Sequence, residues 1–248
     1  MADQLDLFAS HEPLPKQLGH AAIHPVEARG ILTKASGFMA GYDYTLNPYS
    51  GCSYGCTYCY AAFFARDEEK QDTWGEWVEV KENALGLLRR MRTDLAGKTV
   101  YMSSVTDPYQ PIERKAKLVR ELLKEMAPRG VRLVVQTRSP LVVRDIDIFR
   151  QFEAVQVNMT VTTDSETVRR VYEPHCATTE KRLAAIREVN EAGIPTMISL
   201  TPLLPIEDPH GFAAQLLGTG VKKFVVQPFH PDRGRFVRGT REEALRVT

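Results

Sequence analysis

The chain is poor in cysteine, with 4 thiols in 248 residues, and holds only 2 tryptophans. So few cysteines exclude a disulfide-stapled secreted scaffold. A dominant charge sign is missing as well, because 32 Lys and Arg face 31 Asp and Glu. The resulting net charge of +1 gives no global attraction to nucleic acid or to an anionic membrane, so either partner would have to be met by a local patch. No run approaches the ~18 apolar residues of a membrane span. The opening MADQLDLFASHEPLPKQ has neither the basic start nor the apolar core of a secretory signal. A cytoplasmic setting with reduced thiols is therefore expected. What is present is ordinary: 43% hydrophobic and 25% charged residues, enough for a sizeable core and unlike a disordered chain.

Residues 1–40 hold His11, His20 and His24 among scattered prolines without periodicity, and read as an extension that packs. The i, i+4 spacing of His20 and His24 would suit a helical metal site, but Pro25 follows and no third ligand flanks the pair. From Tyr42 onward, β-branched apolar runs alternate with amphipathic segments. Strands are predicted over Tyr42–Asn47, Thr99–Ser103, Val131–Thr137, Ala154–Thr160, Thr196–Leu200 and Lys223–Gln227, with helices at about 82–94, 112–127, 144–152, 179–192 and 209–217. Leu118, Val119, Leu122, Leu123 and Met126 share one helical face, and Gly130, Gly193 and Gly220 stand where helices should end. This rhythm predicts an α/β fold with a parallel sheet over residues 41–228, followed by a basic tail over 229–248. An open doubly wound sheet and a (β/α) barrel both satisfy it. Neither G-x-G-x-x-G nor a P-loop occurs.

After the first predicted strand comes NPYSGCSYGCTYCY, in which Cys52, Cys56 and Cys59 fall within eight residues while Cys176 lies far away. In parallel α/β folds chemistry gathers at the carboxyl ends of strands, which is where this loop sits. Gly51 and Gly55 let the loop curl so that its soft thiolates approach one centre. A structural zinc would need a fourth ligand, from Cys176 or a histidine. An iron–sulfur cubane held by three thiolates would leave one iron open for a substrate or cofactor.

The C-x3-C-x2-C loop with an aromatic before its third cysteine resembles that of the radical S-adenosylmethionine enzymes. The stretches YTLNPYSGCSYGCTYCYA, SSVTDPYQPIE, VVQTRSPLVVRDIDIF, EPHCATTEKRLAAIREVNEAGI and TPLLPIEDP are similar to the branch that includes spore photoproduct lyase. The resemblance implies a partial (β/α)6 TIM-like barrel, open on one side, preceded by the N-terminal extension. It implies a [4Fe-4S] cluster on Cys52, Cys56 and Cys59, with S-adenosylmethionine chelating the fourth iron. A reductant such as flavodoxin or ferredoxin would then trigger sulfonium cleavage to a 5′-deoxyadenosyl radical that abstracts hydrogen from a substrate. It further places Tyr58 by the adenine, Ser104, Thr106 and Asp107 at the methionyl amine, Arg138 at the methionyl carboxylate and Thr160 at the ribose. Each has a plainer reading: Asp107 before Pro108 could cap a helix, and Thr160 could simply face a strand interior.

Glu173, close behind Arg169 and Arg170, could form a salt bridge or meet substrate. Cys176 could donate hydrogen, ligate metal or lie inert. Spore photoproduct lyases carry a hydrogen-donating cysteine at the second strand end, where this chain has Ser104 or its neighbour. A serine O–H bond is too strong for that step, so photoproduct repair is not carried over. Between Lys222 and the end, seven basic residues face three acidic ones, with Phe229 and Phe236 among them. Such a tail could hold a nucleic acid, the favoured substrate class, or be a solvated arm. A peptide or small metabolite is the alternative substrate, and a non-enzymatic zinc-binding module the alternative function. The short segment after the last strand leaves the barrel's open side for a large substrate or a partner.

Overall fold

A computed structural model describes residues 13–65, 67–230 and 241–246. In chain order its strands are β1 (Gln17–Leu18), β2 (Ala21–Val26), β3 (Leu32–Lys34), β4 (Tyr44–Leu46), β5 (Tyr49–Ser50), β6 (Trp77–Lys81), β7 (Thr99–Met102), β8 (Arg132–Thr137), β9 (Ala154–Thr160), β10 (Thr196–Leu203) and β11 (Phe224–Pro228). The principal helices are α1 (Glu68–Asp72), α2 (Ala84–Arg90), α3 (Glu113–Ala116), α4 (Leu118–Met126), α5 (Ile146–Phe149), α6 (Glu166–Tyr172), α7 (Thr179–Glu191) and α8 (Pro209–Leu217). Seven strands form one sheet in the order β11-β10-β9-β8-β7-β4-β3. Its members from β4 to β11 run parallel, and β3 is antiparallel to β4. The sheet does not close, leaving β3 and β11 as edges, so the fold is an open partial barrel.

Strand alternation decides which side chains meet the core and which meet the concave face. Leu133 and Val135 of β8, with Val157 and Met159 of β9, are buried in the main apolar cluster. The intervening Gln136 and Asn158 are opposite each other in register and face the concave side, as do Thr160 and its partner Ser199 on β10. On the convex side, α4 buries Leu118, Val119, Leu122, Leu123 and Met126. The predicted helix over 112–127 is interrupted: Lys117 has φ 50°. The buried Glu113 carboxylate accepts the Val119 N–H at 3.0 Å, capping a fresh start for α4.

The N-terminal segment does more than periodicity suggested. β1 and β2 join β5 and β6 in a second sheet, with β2 parallel to β6 and paired Ala22 to Trp77. His24 lies within β2, paired to Glu79, and the metal-site spacing of a helix does not arise. His11 and, in the basic tail, Arg233, Arg235, Phe236 and Arg238 lie outside the described residues. Among the described residues no helix is long and apolar enough to cross a membrane.

Candidate cluster and cofactor site

The cysteine loop leaves β5 through Gly51, whose φ of 72° is left-handed and whose absent Cβ would stand 2.6 Å from the Trp77 ring. Farther on, the backbones of Gly55 and Gly75 touch: a Cβ on Gly75 would lie 2.7 Å from the Gly55 Cα. The curl is held from several sides. Thr106 Oγ1 donates to the Gly51 carbonyl at 2.6 Å, and Gln110 Nε2 reaches the same oxygen at 3.3 Å. The Ser53 N–H donates to Gln110 Oε1 at 2.9 Å, and the Thr57 N–H to the Tyr172 carbonyl at 2.9 Å. Outside, His20 bonds the Ser53 carbonyl at 3.0 Å and stacks on His175.

A cavity of about 460 Å³ opens where the carboxyl ends of the parallel strands face this loop. Cys52, Cys56 and Cys59 line it together with Ser104, Thr106, Asp107, Arg138 and Thr160. Tyr58 and Cys176 do not. A larger cavity, about 760 Å³, lies at the opposite ends of the strands beside Thr99, Arg132, Ala154 and Pro195, and no thiol lines it.

Each strand-end residue has protein partners as well. Asp107 accepts from Thr137 Oγ1 at 2.7 Å, the Arg138 N–H at 2.8 Å and the Tyr109 N–H at 2.9 Å, bracing the end of β7 against that of β8. Burial pushes its carboxyl above the usual range, against those hydrogen bonds. Ser104 is fixed through its N–H, donated to Asn47 Oδ1 at 2.9 Å, and Thr160 accepts from Gln136 Nε2 at 2.7 Å. Arg138 Nη1 makes three contacts: Cys56 Sγ at 2.9 Å, Tyr58 Oη at 2.8 Å and Glu173 Oε1 at 3.0 Å. Its guanidinium therefore sits against a thiol and a buried carboxylate while still lining the cavity.

Glu173 pairs with Arg138 and Arg182, whereas Arg169 bonds its backbone carbonyl at 2.9 Å. Burial alone would raise the Glu173 carboxyl, but Arg182 and Arg138 outweigh it and bring it down to about 2. Cys176 Sγ is buried 3.7 Å from Cys56 Sγ. The hydrogen bond from Cys176 and the Arg138 charge draw the Cys56 thiol below its ordinary value despite burial. Burial raises Cys52 well above the thiol range and Cys59 to about 11.

The radical SAM superfamily model matches residues 46–214, more than half of the chain. This chain belongs to the radical SAM superfamily. A protein of Methanocaldococcus jannaschii is 38% identical over 167 residues, 67% of this chain and 62% of that one. A Mycobacterium bovis protein is 29% identical over 237 residues, 89% of this chain and 70% of that one. The radical SAM Nalpha-GlyT isomerase of Pseudomonas phage M6 is 24% identical over 159 residues, 64% of this chain and 32% of the isomerase. Among solved structures, a spore photoproduct lyase variant with bound AdoMet and dinucleoside spore photoproduct superposes with TM-score 0.60 at 15% identity, covering 87% of this chain and 66% of that one. At that identity the likeness establishes the fold. The chain spans 62% of the Methanocaldococcus relative and 55% of another spore photoproduct lyase structure.

Radical SAM proteins use a [4Fe-4S] cluster and S-adenosylmethionine, and the donor set here fits that pair. The three loop thiols border one cavity, and a cubane takes one thiolate on each of three irons and leaves the fourth iron open toward the same space. Sequence reasoning missed Gln110, Gln136, Asn158 and Arg182. Gln110, Gln136 and Arg182 stand inside the quoted SSVTDPYQPIE, VVQTRSPLVVRDIDIF and EPHCATTEKRLAAIREVNEAGI stretches and could have been singled out there; Asn158 lies outside them in a strand and gave no local signal.

Proposed function

We propose that this radical SAM protein is an enzyme that holds a [4Fe-4S] cluster on Cys52, Cys56 and Cys59, binds S-adenosylmethionine beside it and abstracts hydrogen from a nucleic-acid substrate. The observation that carries the reading is the shared cavity: three thiols and the strand-end polar groups of β7, β8 and β9 face the same space. When bound, the cluster and S-adenosylmethionine would supply reductive cleavage of the sulfonium, with electrons from a low-potential carrier such as flavodoxin or ferredoxin.

The chain's own groups divide the remaining work. Asp107, with Ser104 and Thr106 beside it, would take the methionyl ammonium, for which a buried carboxylate with only neutral hydrogen-bond partners is well suited. Arg138 would take the methionyl carboxylate: Nη1 is committed, whereas Nε and Nη2 have no hydrogen-bond partner among the described residues. Thr160 would meet the ribose. Tyr58 acts on the site through the guanidinium it shares with Glu173. Enclosure by the sheet and the cysteine loop keeps water from a radical formed there.

A nucleic-acid substrate is supported by the rim. Phe38, 52% exposed, lines the cavity mouth and meets Tyr60 edge to face, and unpaired bases stack on such rings. It is also the class named for the dinucleoside-bound lyase structure. Anaerobic reconstitution tests the chemistry: iron and sulfide uptake, then 5′-deoxyadenosine after reduction, are expected, and a colourless zinc protein would refute the reading. Binding to single-stranded oligonucleotides should weaken with salt. Absence of that binding, with 5′-deoxyadenosine still formed, would move the substrate to a peptide or small metabolite.

A further inference from the structure

Behind the cysteine loop lies an ion network centred on the buried Glu173. Glu173 and Arg182 are both 0% exposed. Glu173 Oε2 pairs with Arg182 Nη2, while Oε1 receives Arg138 Nη1 at 3.0 Å, Thr162 Oγ1 at 3.0 Å and the Tyr58 hydroxyl. Arg182 is pinned in turn, with Nε donating to the Ala177 carbonyl at 2.9 Å and Nη1 to the Thr160 carbonyl at 3.3 Å. A carboxylate bound by four donors on two oxygens cannot swing, so the guanidinium leaning on it is held in one place.

The charges do not cancel. Two guanidinium cations share one carboxylate, and the Arg138 side chain, 17% exposed at the cavity, has only part of its charge answered by Glu173, which leaves room for an anionic group against Nη1. The group that stands there is Cys56 Sγ, 2.9 Å from Arg138 Nη1. We infer that Glu173 and Arg182 are positioning residues that hold Arg138 against the Cys56 sulfur, so that this cation makes one-electron reduction of the cluster easier. The inference rests on the reading of Cys56 as a cluster ligand. Reduction by an external donor adds one negative charge to the cluster. A donor hydrogen bond and a fixed positive charge at a ligand sulfur favour the more negative state, and hydrogen bonds to sulfur are among the means by which proteins set cluster potentials.

The test uses reconstituted protein without S-adenosylmethionine, so that carboxylate binding by Arg138 cannot contribute. Iron and sulfide per chain are measured first, then the midpoint potential by titration followed with electron paramagnetic resonance. Arg138→Gln should load its cluster yet lower the ratio of reduced to oxidised cluster at fixed potential about tenfold, a downward shift of about 59 mV for one electron. Arg138→Lys keeps the charge but cannot touch Cys56, Tyr58 and Glu173 together, and should shift less. Glu173→Asp also keeps its charge and, one methylene shorter, cannot reach both guanidinium groups; it should shift the potential downward as well. Loaded variants with the wild-type potential would overturn the inference and leave the network a purely structural one. If the Gln variant does not fold, the Lys and Asp variants decide the question. A wild-type protein that takes up no cluster would instead overturn the function proposed above.

Discussion

Two buried carboxylates flank the cysteine loop, and their surroundings treat them in opposite ways. Asp107, at the end of β7, is met by a threonine hydroxyl and two backbone N–H groups, and burial keeps its carboxyl above the usual range. Glu173, after α6, loses as much water, but Arg182 and Arg138 reverse the effect and hold it at about 2. The difference separates two jobs that the same chemical group can do. Asp107 gains from an incoming cation, so it is suited to a ligand; Glu173 already has its cations and is committed to holding Arg138.

The largest effect should come from the loop that both carboxylates serve. Cys56→Ala is expected to reduce iron and sulfide uptake to near background, and full uptake would break the whole arrangement. Next come the carboxylates themselves. Glu173→Gln leaves the buried Arg182 and the partly exposed Arg138 short of a counter-charge and should cost roughly 3–5 kcal/mol of unfolding free energy. Asp107→Asn keeps the shape and loses acceptor capacity toward three neutral donors, for about 1–3 kcal/mol. Urea titration of both variants checks the order; a costlier Asp107 change would reverse the comparison.

The pH dependence of those two deficits should also run in opposite senses. Glu173 has a folded pKa below its unfolded one, so its contribution is complete above about 4.5 and fades as pH falls toward about 2. The Glu173→Gln deficit should shrink in that interval. Asp107 has a folded pKa above its unfolded one, so ionising it costs the native state stability as pH rises through and beyond the ordinary carboxylate range. The Asp107→Asn deficit should therefore be larger in acid than at neutrality. Parallel slopes in the two variants would remove the distinction. The smallest effect belongs to Cys176→Ser, which should leave iron content unchanged, and loss of iron would make Cys176 a ligand.

Much of this was legible locally. The six predicted strands of the main sheet recur within a few residues because β-branched apolar runs between turn residues have few other ways to fold. The three cysteines declare themselves by spacing alone. Other features depend on partners remote in sequence. The pairing of Ala22 with Trp77 gives the N-terminal segment its strand, and Glu79 and Val80 in turn receive β5, so no periodicity within residues 1–40 could announce it. α6, too short to show a helical face, likewise escaped notice.

The residue types around the site were readable as candidates, but their uses were not. Local sequence determined a parallel α/β sheet and a thiol-bearing loop a few residues beyond its first parallel strand, because apolar alternation and metal-ligand spacing act over a few residues. Tertiary structure alone decided that Glu173 would join Arg138, 35 residues upstream, to Arg182, 9 residues downstream. A buried charge takes its role from the charges brought against it in space, and only the folded chain brings them there.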